Sequence, residues 1–150
     1  MAFPLPEPMR VALRCAAQAA QAGEVPVGAV VTREGELIAA AANRMRAGSD
    51  PTAHAEIEAL RGAGAKLGTS RLDGCDLWVT LEPCAMCAGA IALARIARLY
   101  FAAPDPKGGA VLHGPRLFGQ PTCHHLPEIY GGIGEGEAAR LLRRFFGERR

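Results

Sequence analysis

Residues 76–87 read DLWVTLEPCAMC, a short apolar run followed by a proline and two cysteines three positions apart. The apolar run favours a β-strand, and the alanine-rich residues 85–94 favour a helix. Pro83 therefore lies at a strand-to-helix turn, because proline is preorganised for the first turn of a helix. Cys84 and Cys87 then share one face at the start of that helix, where unpaired backbone N–H groups stabilise thiolates. The stretch predicts a strand, a turn and a helix that presents two thiolates together.

The triplet His54-Ala55-Glu56 stands thirty positions before the first of these cysteines. We expect it on a second helix over about residues 53–60, with Thr52 as the N-cap and the glycines at positions 62 and 64 ending the helix. His54 would then lie in the first helical turn. The N-termini of two helices would converge on one site.

The side chains of the two motifs are those of a zinc site. One imidazole and two thiolates leave the fourth tetrahedral position open to water, which distinguishes a catalytic zinc from a structural one. A carboxylate that does not touch the metal can move the protons. We therefore predict one Zn²⁺ per chain, with His54, Cys84 and Cys87 as ligands and Glu56 as the proton carrier.

Each motif also has other interpretations. A Cys-x-x-Cys after a strand is typical of thiol oxidoreductases, although His54 and Glu56 would then be unexplained. A closed structural zinc site would need a fourth protein ligand, which Cys123, His124 or His125 could supply, but there is no second Cys-x-x-Cys pair. A noncatalytic interaction domain stabilised by zinc also remains open.

The rest of the chain alternates between predicted helices and strands. The expected elements are a helix over residues 7–22, a hairpin of strands over 27–32 and 37–42, a strand over 98–102 and a closing helix over 137–146. The strand over 98–102 should run parallel to its predecessor, because a helix connects the two. Residues 104–136 are expected to form a long loop with little regular structure. The order predicts a three-layer α/β fold, with a mixed sheet of about five strands.

Composition favours a single domain. The 150 residues, 49% of them hydrophobic, can bury roughly two thirds of the unfolded surface. Apolar stretches are too short to span a bilayer and the first residues lack a basic region, so we expect residues 1–150 to form one cytoplasmic domain with no membrane contact. Five cysteines, an odd number, suit a reducing compartment. We expect Cys15 and Cys75 to be small core residues.

The net charge of +2 is too small to indicate nucleic-acid binding by itself. Its placement is more informative, because five arginines lie in the last eleven residues beside Phe145 and Phe146. They are Arg140, Arg143, Arg144, Arg149 and Arg150. One interpretation is a solvated helix face that the phenylalanines dock onto the core. The other is contact with RNA phosphates, for which Arg143 and Arg144 are the candidates.

Over residues 9–146 the chain resembles the bacterial tRNA-specific adenosine deaminases, which have the cytidine deaminase-like fold. The stretches that carry the resemblance are EVPVGAV at 24–30, NR at 43–44, DPTAHAEI at 50–57 and VTLEPCAMCAGA at 79–90. DPKGGA at 105–110 is similar to the Asp-x-Lys-x-Gly-Ala segment of that family. Residues 114–130 depart from the commonest family pattern and resemble a version found in only some bacterial members.

The resemblance implies an activity, a partner and further site residues. The activity is hydrolytic deamination of adenosine to inosine at the wobble position of a tRNA anticodon, and the partner is the anticodon arm. Glu56 would be the general acid and base, with the attack at C6 of adenine. Asn43, Asp105 and Lys107 would contact the substrate, and the chain would form a homodimer. A deaminase of a free base or nucleoside, of the guanine or cytosine type, would use the same metal and glutamate; the C-terminal arginines and residues 105–110 argue against it.

Overall fold

The structure, a computed structural model, describes residues 4–148. Its elements are α1 (Glu7–Gln21), β1 (Gly28–Arg33), β2 (Glu36–Ala42), α2 (Ala55–Leu67), β3 (Cys75–Leu81), α3 (Ala85–Ala94), β4 (Arg98–Ala103), β5 (Glu128–Tyr130) and α4 (Glu135–Glu148). A short 3₁₀ turn covers Leu117–Gly119. Within this described part, no helix is both long and apolar enough to cross a bilayer.

The five strands form one mixed sheet in the order β2-β1-β3-β4-β5. β1 is antiparallel to both β2 and β3, whereas β3, β4 and β5 run parallel. The parallel pairing of β3 and β4 confirms the prediction, and helix α3 connects the two strands. Because β3 and β4 run in the same direction, the turn that carries Pro83 and Cys84 lies at their carboxyl ends, the usual place for a ligand in such sheets.

Helices α1 and α4 cover one face of the sheet. The buried residues of α1 are spaced three or four positions apart, as an amphipathic helix requires, and include Met9, Ala12 and Ala16. They pack with Val30 and Trp78 of the sheet and with Ala138 of α4. A Cβ at Gly28 would overlap the backbone carbonyl oxygen of Ala12. The backbones of α1 and β1 thus touch directly at Gly28, and only glycine fits there.

Helices α2 and α3 cover the opposite face, which completes the three-layer α/β/α architecture. The core on this side combines small helical residues, such as Ala59 and Ala88, with larger residues of the sheet, such as Leu77 and Phe101. The small side chains let both helices lie close to the sheet.

The observed limits of α2 correct the prediction for this helix. Thr52 is not its N-cap, because the Thr52 hydroxyl donates to Asp50 Oδ1 at 2.7 Å in the preceding turn. The N-cap residue is His54, and the helix runs through both predicted end points to Leu67, ending at Gly68 with φ +68°. The glycine at position 62 faces β2, where a Cβ would come within 3.3 Å of Ala39 Cβ. Packing on the sheet therefore outweighs the low helix propensity of the glycines.

The predicted loop over residues 104–136 contains a strand, so that prediction was wrong for β5. β5 pairs with β4 in parallel and places Tyr130 beside Tyr100, with ring centroids 5.1 Å apart. Tyr100 in turn stacks on Trp78 at 3.8 Å. A strand of three residues is too short to show an alternating pattern, which is why the sequence did not reveal it. The other bounds lie within two residues of those predicted.

Candidate active site

The site lies where the N-termini of α2 and α3 meet. His54 is the N-cap residue of α2 and Cys84 is the N-cap residue of α3, both with extended backbone conformations. His54 Nδ1 is 3.7 Å from Cys84 Sγ and 3.5 Å from Cys87 Sγ. Two chain segments thirty residues apart thus bring the three predicted ligands together.

These separations fit a zinc ion. With bonds of about 2.0–2.1 Å to nitrogen and about 2.3 Å to sulfur, a tetrahedral site separates its N and S ligands by roughly 3.5 Å. The three ligand atoms lie within 4.8 Å of one another, and no other His, Cys, Asp or Glu of residues 4–148 joins this group. The described chain therefore supplies three ligands and leaves the fourth position open.

The residues considered for a closed structural site lie elsewhere. Cys123 Sγ donates to the backbone oxygen of His125 at 3.3 Å, and His125 Nε2 donates to the carbonyl oxygen of Ile96 at 2.6 Å. Both side chains, with His124, line a groove beside α3. Neither Cys123 nor His124 nor His125 belongs to the group formed by His54 and the two cysteines.

The two thiols have opposite pKa shifts. A hydrogen bond from Cys87 lowers the pKa of Cys84 to about 5, helped by the backbone N–H groups of Cys87 and Met86 and by His54. The same hydrogen bond, together with burial and the nearby Glu56, raises the pKa of Cys87. Zinc binds thiolates, so metal binding would displace the proton that the raised pKa favours on Cys87.

Glu56 lies in the first turn of α2 and is 4% exposed. Burial raises the pKa of Glu56 to about 7, and the proximity of Cys84 contributes to the increase. The carboxyl group is hydrogen-bonded to Cys87 but does not belong to the metal-binding group. It is therefore a carboxyl group beside the ligands that can both release and accept a proton near neutral pH.

A pocket of about 210 Å³ opens onto these groups. It is lined by Val25, Val27, Asn43, Met45, His54, Glu56, Leu81, Glu82, Cys84, Asp105 and Gly108. Sites for drug-sized ligands typically occupy about 300–1,000 Å³, so this pocket suits a single small ring system.

Asn43 follows β2 directly and is 7% exposed. Its Oδ1 accepts a hydrogen bond from the backbone N–H of Ala55 at 2.7 Å, which fixes the orientation of the amide. The Nδ2 group forms no hydrogen bond within residues 4–148, and the residue lines the pocket. Asn43 thus presents a donor to whatever occupies the pocket.

Of the two residues in the segment 105–110 that were predicted to contact the substrate, only Asp105 lines the pocket. Asp105 lines the pocket, and its Oδ1 accepts the backbone N–H groups of Lys107 at 3.2 Å and Gly108 at 3.0 Å. Lys107 is exposed and does not line the pocket.

Arg143 and Arg144 lie on α4, away from the pocket. They are exposed and line a groove of about 1040 Å³ between α1 and α4, on the sheet face opposite α2 and α3. Arg10, Arg14 and Arg140 line the same groove. Of the two phenylalanines, Phe145 is buried and packs the helix onto the core, whereas Phe146 is 52% exposed. Two members of the predicted cluster, Arg149 and Arg150, lie outside the described residues.

Two buried glutamates were missed from the sequence: Glu82, which lines the pocket, and Glu24, which precedes the pocket residue Val25. Glu24 accepts the backbone N–H groups of Arg46 at 3.1 Å and Ala47 at 2.8 Å, and Glu82 accepts several from the loop after β4. Burial acts to raise the pKa of Glu82, but these donors and His113 lower it overall. The signal available in the sequence was a glutamate directly after a buried strand and before Pro83. Of the two cysteines expected in the core, Cys75 is buried and Cys15 only half-buried.

Comparison with known proteins agrees with this geometry. Residues 6–103 match the family model for the cytidine and deoxycytidylate deaminase zinc-binding region. The chain is 56% identical over 142 residues to the tRNA-specific adenosine deaminase of Agrobacterium fabrum, covering 95% of this chain and 93% of that protein.

Two solved structures are also similar. One, from a study of A-to-I editing by tRNA:A34 deaminases at the wobble position of transfer RNA, has a TM-score of 0.89 at 55% identity, covering 90% of this chain and 98% of that one. The other is a guanine deaminase from Nitrosomonas europaea, with a TM-score of 0.76 at 29% identity, covering 98% of this chain and 86% of that one.

Proposed function

The chain belongs to the cytidine and deoxycytidylate deaminase family of zinc-binding proteins, and from this premise we propose that it converts adenosine to inosine at the wobble position of a tRNA anticodon. The observation that carries the choice of substrate is the 56% identity to a tRNA-specific adenosine deaminase over 95% of the chain. The similarity to a guanine deaminase is weaker, at 29% identity, and supports the chemistry more than the substrate.

The residues of the pocket have distinct roles in the reaction. His54, Cys84 and Cys87 would hold the zinc, which, when bound, would supply a water of lowered pKa, about 7, as the nucleophile. Glu56 would take one proton from the attacking water and deliver it to ring N1. It would then pass the second proton, from the new C6 hydroxyl, to the amine, which leaves as ammonia while C6=O forms. Asn43 donates from Nδ2 to the bound nucleoside, since its Oδ1 is already occupied by Ala55.

The tRNA extends beyond the pocket, which holds only the target base. Enzymes that act on a base take it out of the stack, and an anticodon loop presents its bases at low unstacking cost. The position of Asp105 at the pocket wall and the exposure of Lys107 on the same loop support the proposal that both contact the substrate, with Lys107 as the cation for phosphates of the anticodon arm. Arg143 and Arg144 would contact phosphates from the groove beside α1.

We further propose that the chain works as a single domain and assembles as a homodimer in the cytoplasm. Helix α3 is apolar on all sides, yet Leu93 is 83% exposed and Met86 is 37% exposed. Apolar residues exposed together on one helix are typical of an interface. Light scattering coupled to size-exclusion chromatography should give twice the 15.7 kDa mass of the chain. A monomer at all concentrations would contradict the proposed dimer but not the proposed activity.

The decisive test is to incubate the zinc-loaded protein with the tRNA pool of its own source and to quantify inosine by sequencing and nucleoside mass spectrometry. We expect inosine at position 34 of one or a few tRNAs. Free guanine, cytosine and adenosine are the competing substrates, and Glu56→Gln is the matched inactive control. Faster deamination of a free base than of any tRNA would contradict the proposal and favour the small-substrate alternative.

A further inference from the structure

Glu82 lines the same pocket as His54 and Cys84 but does not belong to the group of metal-binding residues. It directly follows β3 and precedes Pro83 and Cys84, and its side chain has no exposed surface. Its own backbone N–H donates to Ala103 at the end of β4, at 2.8 Å. The residue is therefore anchored to the carboxyl ends of two neighbouring strands.

The Glu82 carboxylate accepts five hydrogen bonds, all from the loop that follows β4. Oε1 accepts the backbone N–H of Asp105 at 3.0 Å and Nδ1–H of His113 at 2.8 Å. Oε2 accepts the backbone N–H groups of Val111 at 3.1 Å, Leu112 at 2.9 Å and His113 at 3.1 Å. A buried carboxylate is costly unless its oxygens are satisfied, and here both of them are.

These donors come from both ends of residues 105–113, so the loop wraps around the carboxylate. A Cβ at Gly109 would lie 2.6 Å from Glu82 Oε2 and 2.5 Å from the carbonyl oxygen of Asp105. The loop thus passes the carboxylate with no space for a side chain. Asp105 and Gly108 of this same loop form one wall of the pocket.

We propose that Glu82 is a positioning residue for the deamination: its buried carboxylate holds residues 105–113 as the substrate-facing wall of the pocket, at a fixed distance from the ligands His54 and Cys84. The inference rests on the proposed function and deepens it. Since Glu82 and Cys84 are separated by a single proline, one short segment sets both the metal ligand and the wall against which the substrate lies.

The proposal predicts that a change at Glu82 affects substrate binding and not the chemical step. Glutamine at position 82 keeps the size of the side chain, but its amide turns an N–H group towards backbone N–H donors in either orientation. The wall should then move while His54, Cys84, Cys87 and Glu56 keep their places. If the variant binds the substrate and the transition state more weakly by the same amount, its KM rises and its kcat stays almost unchanged.

The experiment compares zinc-loaded wild type, Glu82→Gln and the control Glu34→Gln, which removes the same charge at the exposed hairpin turn at the other end of β1. We expect Glu82→Gln to retain one zinc per chain, to raise KM for the tRNA by about tenfold or more and to change kcat by less than about threefold. Hydrogen exchange should accelerate in residues 105–113 but not in α2 or α3. Glu34→Gln should match wild type in zinc content, in KM and kcat, and in hydrogen exchange.

His113→Ala is the second variant, in case Glu82→Gln does not fold. It removes one side-chain donor and leaves the four backbone donors to the carboxylate, so we expect a KM increase of about two- to fivefold and faster exchange near residue 113. Unchanged KM in a folded Glu82→Gln, or loss of its zinc, would overturn the proposal. If Glu82→Gln does not fold, unchanged KM and exchange in His113→Ala would do so.

The two proposals fail in different ways. A wild-type protein that forms no inosine would end the proposed function. The exchange measurement needs no substrate and would still decide whether Glu82 holds this wall, since normal protection of residues 105–113 in Glu82→Gln would contradict it.

Discussion

Asn43 Oδ1 accepts the backbone N–H of Ala55 at 2.7 Å, so a side chain of the pocket also caps the first turn of the helix that carries Glu56. This N–H is one of the unpaired donors that every helix leaves at its N-terminus. Asn43 therefore has two separable roles, one for each end of its amide.

Two substitutions at position 43 should separate these roles. Asn43→Asp keeps the acceptor for Ala55 and loses the Nδ2 donor, so we expect a folded, zinc-loaded protein with raised KM. Asn43→Ala also leaves the Ala55 N–H without a partner and should lower the free energy of unfolding by about 1–3 kcal/mol. Steady-state kinetics and urea unfolding measure the two effects. Equal kinetics for Asn43→Asp and wild type would assign Asn43 to the helix cap alone.

Glu56→Gln should retain zinc and fold but lose most of the activity. General acid–base catalysis by a positioned side chain typically contributes about 10²–10⁴-fold, and glutamine cannot carry the proton. Single-turnover rates and zinc content measured on the same sample test this expectation. A rate within a few-fold of wild type would remove Glu56 from the mechanism, whereas loss of zinc would make it a ligand.

Zinc content should distinguish the ligand cysteines from Cys123. We expect one zinc per chain in the wild type and in Cys123→Ala, but loss of zinc in Cys84→Ala and in Cys87→Ala, because only these two sulfurs lie beside His54. Elemental analysis after exhaustive dialysis gives the answer. Zinc loss in Cys123→Ala would instead favour a closed structural site.

Neutralising Arg143 and Arg144 together should weaken tRNA binding and reduce its dependence on salt. Each lost phosphate contact lowers the salt slope by about 0.7 in single strands and about 0.9 in duplex DNA, while turnover at saturating tRNA should change little. The control is Arg33→Gln with Arg71→Gln, which removes two exposed charges outside this groove, at the end of β1 and in the loop before β3. If the variant that lacks the charges of Arg143 and Arg144 binds tRNA as well as the control variant does, these two arginines belong to a solvated helix face.

Gly28→Ala should destabilise the fold severely. Its new methyl group would overlap the carbonyl oxygen of Ala12, and two backbones that touch cannot separate without moving α1. We expect a loss of about 3 kcal/mol, the upper end for overpacking. Gly147→Ala in α4 should be neutral or stabilising by up to about 1 kcal/mol, because a Cβ there meets no atom of residues 4–148 within 4 Å outside its own stretch of helix. Thermal unfolding of both variants makes the comparison.

Local sequence signals determine much of the site. Pro83 and the change from an apolar run to an alanine-rich run fixed the end of β3, and α3 covers the residues predicted for it, Ala85–Ala94. The ligands could be predicted for the same reason: a Cys-x-x-Cys at a helix start and a His-x-Glu pair at another are short patterns whose geometry depends on few neighbours. The chain itself thus determined which residues could hold zinc.

Long-range contacts decided what the sequence could not show. Helix α2 continues through Gly62, where it packs against β2, and β5 pairs with β4, where Tyr130 stacks beside Tyr100. Neither effect leaves a periodic pattern in the sequence, since the energy comes from partners that are distant along the chain.

The same distinction applies to the site. The five donors to Glu82 come from residues 23 to 31 positions away, so its role as a buried acceptor appears only once the loop is folded around it. Tertiary structure also placed Arg143 on the sheet face opposite the zinc-bearing helices, which no local pattern could indicate. The residues proposed to react were predicted from local patterns, whereas the shape of the pocket around them depended on packing between distant segments.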